Sequence, residues 1–226
     1  MIAVSDYTKY PPETKTKPKV GLPLNPSMET IVSLHPDLIL GYGDSKSSEM
    51  LNRLDRIGIP VFMVSTHGLE GIYKTLQSIG NVLGRDSAAK EVIARLRQRE
   101  AAIRARVAGK PVVKLLMPIW YDPIVTIGKF AYITEMIKIA GGHSVTSDIA
   151  QEWPQVSLEA VIARAPDALL LVRGSGMSVG AIQDRPGWQN LPAIRNHRIY
   201  YIGEQIEYPS PVAFDALEEL ATQLHP

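Results

Sequence analysis

The chain has 226 residues, 45% of them hydrophobic and 21% charged, a balance that suits a compact soluble protein of one or two domains with a sizeable core. Its 24 basic and 23 acidic residues are spread along the sequence for a net charge of +1, so no basic face stands out to hold phosphate backbones or anionic lipid, and nucleic acid is excluded as a partner. Cysteine is absent, which removes disulfides, thiolate metal sites and thiol nucleophiles.

Residues 1–10 carry neither the basic start nor the apolar stretch of a signal peptide, so an export signal is expected outside this chain. No apolar run approaches the roughly 18 residues a membrane span needs. Residues 38–40 and Val61–Val64 are short apolar runs bounded by Pro, Gly or polar residues, which suits buried strands. Between them Met50, Leu51, Leu54 and Ile57 recur at helical spacing, and Gly58 with Pro60 stops that helix. Strand, helix, strand in this order implies parallel pairing through a right-handed crossover. A second helix is predicted over residues 69–83. Asp86–Val107 has no Pro or Gly and sets Val92, Leu96 and Ile103 along one stripe, which predicts a long helix. Beyond Gly109 and Pro111 the pattern restarts: a strand over 112–117, a helix over Tyr132–Ile139, strands at Ala168–Val172 and 198–202, and a last helix over Ala213–Leu224.

An internal repeat organises these elements. Ser27-Met28-Glu29-Thr30-Ile31-Val32-Ser33-Leu34-His35-Pro36-Asp37-Leu38-Ile39-Leu40 aligns without gaps on Ser157-Leu158-Glu159-Ala160-Val161-Ile162-Ala163-Arg164-Ala165-Pro166-Asp167-Ala168-Leu169-Leu170, at a constant offset of 130 residues. In each copy Ser caps a short helix, Pro and Asp end it, and an apolar strand follows. Two copies flanking one long helix predict an α/β protein of two Rossmann-like lobes: an N-terminal lobe over 1–84, a connecting helix over 85–109 and a C-terminal lobe over 110–226. A cleft between two such lobes is a usual place for a small molecule.

The runs Tyr7-Thr8-Lys9-Tyr10-Pro11-Pro12-Glu13, Pro18-Lys19-Val20-Gly21 and Asn25-Pro26-Ser27 through Leu40 resemble the N-terminal lobe of periplasmic binding proteins that serve importers of cobalamin, haem and ferric siderophores. Trp153-Pro154-Gln155-Val156-Ser157-Leu158-Glu159 resembles the C-lobe segment of the cobalamin-binding members in particular. The resemblance implies a helical-backbone binding fold with no catalytic activity and no resident cofactor. It implies a large chelate as cargo, cobalamin first, with haem or a ferric siderophore as the alternative. It implies an ABC permease with its ATPase subunits as partners, a monomer, and a periplasmic or cell-surface location. Family members open with a further strand and helix ahead of the segment matching Ile2-Ala3-Val4-Ser5, so a shortened N-lobe is expected here.

Glu29 and Glu159 stand two residues after the two cap serines. An acid in the first helical turn is favoured by the helix dipole by about 0.3–1 kcal/mol and needs no partner. The spacing differs from a capping box, however, and the resemblance implies that the matching glutamates dock against permease arginines. The ligand contacts implied are aromatic, because a large flat molecule offers area for stacking. The resemblance carries Tyr7 in the Tyr-Pro-Pro loop and Tyr42 directly after the 38–40 strand; Trp120 and Tyr121 after the 112–117 strand, and the acidic Glu204 with Tyr208 after the 198–202 strand, are added from their places beyond strand ends, the latter two in a segment that departs from the cobalamin binders.

Two other readings stay open. Haem or an iron chelate calls for Tyr or His ligation, for which Tyr7 or Tyr10 would serve. His35, His67, His143, His197 and His225 lack metal-ligand spacing and read as surface or capping residues. A dinucleotide enzyme would use Gly174-Ser175-Gly176-Met177-Ser178-Val179-Gly180, but the glycine spacing departs from G-x-G-x-x-G and Pro186-Gly187 interrupts the helix that should follow.

Overall fold

The computed structural model describes residues 1–23, 25–43 and 49–226, apart from the side chains of Glu49, Met50 and Leu51. These residues form two compact units, Met1–Ser65 and Thr66–Pro226, both α/β.

In the first unit Val4 bridges to Lys19: its N–H donates to Pro18 O at 3.0 Å and its carbonyl accepts from Val20 N at 3.1 Å. A 3-10 turn follows at Pro12–Thr16, where the buried Thr14 hydroxyl donates to Pro11 O at 2.8 Å. Strands β1 (Gly21–Leu22) and β2 (Asn25–Pro26) pair antiparallel and lead into helix α1 (Met28–Ser33). Strand β3 (Ile39–Tyr42), helix α2 (Glu49–Arg56) and strand β4 (Val61–Val64) complete the unit. β3 and β4 pair parallel, as expected of a crossover, in register from Ile39↔Val61 to Tyr42↔Val64. A Cβ at Gly41 would meet the Met63 thioether, which packs over the bare backbone there and would have to swing aside. The pair begins and ends later on β3 than the 38–40 run suggested, so Tyr42 is the last strand residue and not a residue beyond the strand. The described core is small, with Ile31 of α1 and Leu54 of α2 as its buried side chains on helices.

The second unit opens with helices α3 (Gly68–Val82) and α4 (Asp86–Val107). Strand β5 (Val113–Leu116), the hairpin of β6 (Pro118–Tyr121) and β7 (Ile124–Thr126), helix α5 (Tyr132–Ile139) and strand β8 (Gly142–Ser144) follow. Next come β9 (Gln155–Val156), α6 (Leu158–Arg164), β10 (Ala168–Val172), α7 (Val179–Gln183), α8 (Pro192–Arg195), β11 (Ile199–Ile202) and α9 (Ala213–Leu224). Four strands make a parallel sheet in the order β11-β10-β5-β8, and β6-β7-β9 make a separate antiparallel one. The five residues of β10 are all buried. Ala168, Leu170 and Val172 face a cluster with Ile133 and Phe214, while Leu169 and Leu171 face another with Val161 and Trp188. A continuous apolar strand covered on both faces is the mark of a central parallel strand.

The two units divide between Ser65 and Thr66, whereas the sequence places boundaries at residues 84/85 and 109/110. Leu69, Ile72 and Tyr73 of α3 and Leu96 and Ile103 of α4 bury in the same cluster as Ile133 and Phe214, so both helices belong to the second unit. The two helices pack through Gly80, where an added Cβ would collide with Ala89, and through Tyr73, whose hydroxyl donates to Glu100 at 2.8 Å.

The repeat seen in the sequence is a structural repeat. β2-α1-β3 and β9-α6-β10 run in the same order at the same offset. Ser27 accepts from Thr30 N and Ser157 from Ala160 N, each at 3.2 Å. Both helices end through a left-handed residue immediately before the proline, His35 and Ala165, each at φ 46. Replacing Ser157 with Ala removes the acceptor for the Ala160 amide, and urea denaturation is expected to show a loss of about 1 kcal/mol.

Candidate ligand-binding site

Ligands of open α/β sheets bind outside the carboxyl ends of the strands. In the second unit, the connections that leave the carboxyl ends of the parallel strands include the β6–β7 hairpin after β5, residues 173–178 after β10, and residues 203–208 after β11. The topology therefore gathers Trp120, Tyr121, Glu204 and Tyr208, four of the residues singled out in the sequence, on connections from one edge.

Trp120 and Tyr121 follow β5 as expected, as the end of a further strand, β6. A register shift between Pro118 and Trp120 in the pairing with β7 marks a bulge, a device that re-aims side chains. Their rings stack nearly parallel, 5° apart in plane with centroids 5.4 Å apart. Trp120 remains 52% exposed, and its Nε1 donates to Asp122 O at 2.9 Å. Arg185, beyond α7, sets its guanidinium 3.8 Å over the Tyr121 ring and donates to Asp122 Oδ2 at 3.3 Å. This arginine was missed in the sequence reading, because 63 residues separate it from Asp122 and no motif links them.

Glu204 opens a 3-10 turn, Glu204–Glu207, and Tyr208 caps its end; both are half-buried. The buried Tyr132 hydroxyl holds that turn by donating to Ile206 O at 2.6 Å. Arg173 and Glu219 form a two-pronged ion pair at 2.7 and 2.8 Å, and Arg173 also donates to Tyr201 O at 2.7 Å. Arg173 foremost, with the Gly203 amide, holds the Glu219 carboxyl below the usual carboxylate range. The pair fixes the point where the chain leaves β11.

A pocket of about 470 Å³ lies in the same unit, lined by His67, Gly68, Lys129, Phe130, Glu135 and Glu152. Its position follows from two backbone features. Glu135 at the start of α5 accepts from Leu69 N at 2.6 Å, occupying the first turn of α3. Gly128 N donates to Glu152 O and Phe130 N to Gln151 O, which closes residues 128–131 onto 149–152. Phe130 is left exposed beside Lys129. Apart from His67, which the sequence read as a surface or capping residue, none of these was singled out; the Gly-Lys-Phe run ahead of α5 is the one local signal that could have marked them.

In the first unit Tyr7 is presented on a turn closed by Thr8 N donating to Ser5 O at 3.1 Å, and the turn is tied down by Asp6 N donating to Gly21 O at 3.0 Å. Tyr7 and Tyr42 are 67% and 63% exposed, on separate segments, a turn and a strand end. Glu29 and Glu159 are both exposed in the first turns of α1 and α6. Its own backbone N–H, then the Ser157 hydroxyl, hold the Glu159 carboxyl below the usual range.

Among the described residues no group of three or more His, Asp or Glu is arranged to hold a metal ion, and no helix is long and apolar enough to cross a membrane. After β10, Ser178 caps α7, which is only five residues long, so the loop that loosely resembled a dinucleotide motif leads into no extended helix.

Exposed aromatic rings and charged turns beyond the carboxyl ends of a parallel sheet, in a chain that carries its strand-helix-strand unit twice, suit a binding protein. A family model described as Periplasmic binding protein matches residues 1–206, and the chain belongs to that family. A vitamin B12-binding protein of Vibrio parahaemolyticus is 27% identical over 222 residues, which cover 97% of this chain and 80% of that protein. An ABC transporter substrate-binding lipoprotein of Bacillus subtilis is 28% identical over 234 residues, covering 100% of this chain and 73% of that one. Among solved structures, the periplasmic heme-binding protein of Roseiflexus sp. RS-1 in apo form matches with a TM-score of 0.86 at 26% identity, over 99% of this chain and 89% of that chain. The reading as a binding protein and not an enzyme follows from these relatives.

Proposed function

We propose that this chain is the substrate-binding protein of an ABC importer, that its cargo is cobalamin, and that it carries no resident cofactor. The observation that carries the choice of cargo is the likeness to a vitamin B12-binding protein along 97% of the chain. The stacked, exposed Trp120 supports it, since a corrin macrocycle is a large flat surface suited to an aromatic platform. Tyr7, Tyr42 and Tyr208 add further rings, and Glu204 adds a hydrogen-bond acceptor for the amide groups around the macrocycle. Delivery runs through Glu29 and Glu159 to cationic groups of the permease, whose own ATPase subunits supply the energy. Exposed ion pairs are individually weak, which suits a carrier that must dock and leave. The chain works as a monomer outside the cytoplasmic membrane, free or anchored at the cell surface.

The likeness to a heme-binding structure supports a second reading, in which the exposed Tyr7 phenol ligates the iron of haem. Isothermal calorimetry with cyanocobalamin, haemin and a ferric hydroxamate separates the two. Saturable one-to-one binding of cyanocobalamin tighter than about 1 μM, with no comparable response to the others, is expected; tighter binding of haemin, lost in Tyr7→Phe, establishes the second reading instead.

A further inference from the structure

An exposed side chain on a hairpin ordinarily samples several rotamers, and a ligand that binds it must fix one of them. Four contacts close a circuit around the exposed Trp120. Its ring lies against the Tyr121 ring, 5° apart in plane. The Arg185 guanidinium lies 3.8 Å over that same Tyr121 ring, and Nη1 donates to Asp122 Oδ2 at 3.3 Å. Trp120 Nε1 donates to Asp122 O at 2.9 Å, which returns the circuit to its start. Arg185 is the one member from outside the hairpin, and its backbone is anchored. Its N–H donates to Ile182 O at 3.1 Å and its carbonyl accepts from Trp188 N at 3.3 Å. The Ile182 and Trp188 side chains are buried in the cluster against which Tyr121 packs. The circuit also uses the single donor an indole has, so what Trp120 leaves exposed is a ring surface and not a hydrogen-bonding group.

Resting on the cargo-binding role proposed above, we infer that Arg185 is a positioning residue: by packing on Tyr121 and tying Asp122 it presets the Trp120 ring as a rigid platform for a flat conjugated macrocycle. It acts through the two residues that hold the indole. A ring already fixed loses little freedom when cargo arrives, so the effect of Arg185 falls on affinity. Its planar guanidinium stacks on the phenol while reaching the carboxylate, which the compact ammonium of a lysine does less well.

Calorimetry of the parent chain with cyanocobalamin and with haemin first decides the cargo, and the tighter of the two is then titrated into Arg185→Ala and Arg185→Lys. The same substitutions in the Trp153→Phe, Trp188→Phe background leave Trp120 as the sole tryptophan, whose time-resolved fluorescence anisotropy is measured without ligand. Arg185→Ala is expected to weaken binding by about 5-fold and to add a fast local motion to the Trp120 decay, at an unfolding midpoint close to the parent's. Arg185→Lys, which restores the cation, is expected to recover part of both. A lowered midpoint with affinity and Trp120 decay unchanged assigns Arg185 to stability alone and overturns the inference. Weaker binding with an unchanged Trp120 decay overturns it in favour of direct contact with cargo, and a looser Trp120 at parent affinity shows that the preset ring does not serve binding. A parent that binds haemin and not cyanocobalamin overturns the cobalamin reading while the variants still decide the role of Arg185; a parent that binds neither overturns both.

Discussion

Reversing the charge at both Glu29 and Glu159 abolishes uptake of ligand while leaving its capture intact. Both acids are exposed in the first turn of a short helix, so neither is part of a core. Each replacement forfeits the dipole contribution of about 0.3–1 kcal/mol to its helix, but Ser27 and Ser157 still cap the helices, and Ile31 and Val161 still anchor them. The fold therefore survives and the docking surface changes sign. A single reversal leaves one docking point and reduces uptake in part; the pair places two cations where the permease offers cations, and like-charge juxtaposition suppresses the encounter. Uptake of cyanocobalamin by cells whose only binding protein is the variant, set beside calorimetric titration of the same purified variant, measures both halves. Uptake at the wild-type rate by the double variant contradicts the docking role, and so does loss of capture together with uptake.

Phe214→Ala is expected to lower the unfolding free energy by about 3–5 kcal/mol, the range for emptying a fully buried phenylalanine site. Phe214 of α9 has no exposed surface, and its ring centroid lies 6.0 Å from that of Tyr73 at an interplanar angle of 40°. It sits in the cluster that joins α3, α4, α5 and one face of the parallel sheet, so truncation leaves a void bordered by several elements at once. The surface ion pairs that tie α9 to α4, Arg99 with Asp215 and Glu218, hold the helix in place but do not fill that void. Urea denaturation followed by circular dichroism reads the change, with Leu40→Ala, at an exposed position, as the control expected to shift stability by less than about 0.5 kcal/mol.

The helices α4, α5 and α9 and the strands β4 and β10 were legible to the residue, for identifiable reasons. α4 is a run without Gly or Pro between Gly84 and Gly109, and β10 is five apolar residues between Asp167 and Arg173. The β6–β7 hairpin was not legible. Pro118 and Pro123 break the alternation that would reveal two strands, and β7 is only three residues long, so Trp120 and Tyr121 read as a loop beyond β5. α2 was anticipated from Met50, Leu51, Leu54 and Ile57; Leu54 is buried as that pattern requires, whereas the side chains of Met50 and Leu51 lie outside the described residues and Ile57 falls beyond the helix. Membership of α3 in the second unit was not legible either, because it depends on packing of Tyr73 against residues such as Phe214, far away in the chain. The same limit governs the site. Residue types that follow a strand could be named from sequence, but Arg185 over Tyr121, Glu219 under Arg173 and Glu135 at the start of α3 are each made by folding.

The most direct test of cobalamin capture uses the Trp153→Phe, Trp188→Phe variant, in which Trp120 is the sole remaining tryptophan of the three. Titration with cyanocobalamin is expected to quench its emission saturably at one equivalent, with haemin producing no comparable quenching at the same concentrations. Emission unchanged by cyanocobalamin, in a variant whose circular dichroism matches the parent, contradicts the account.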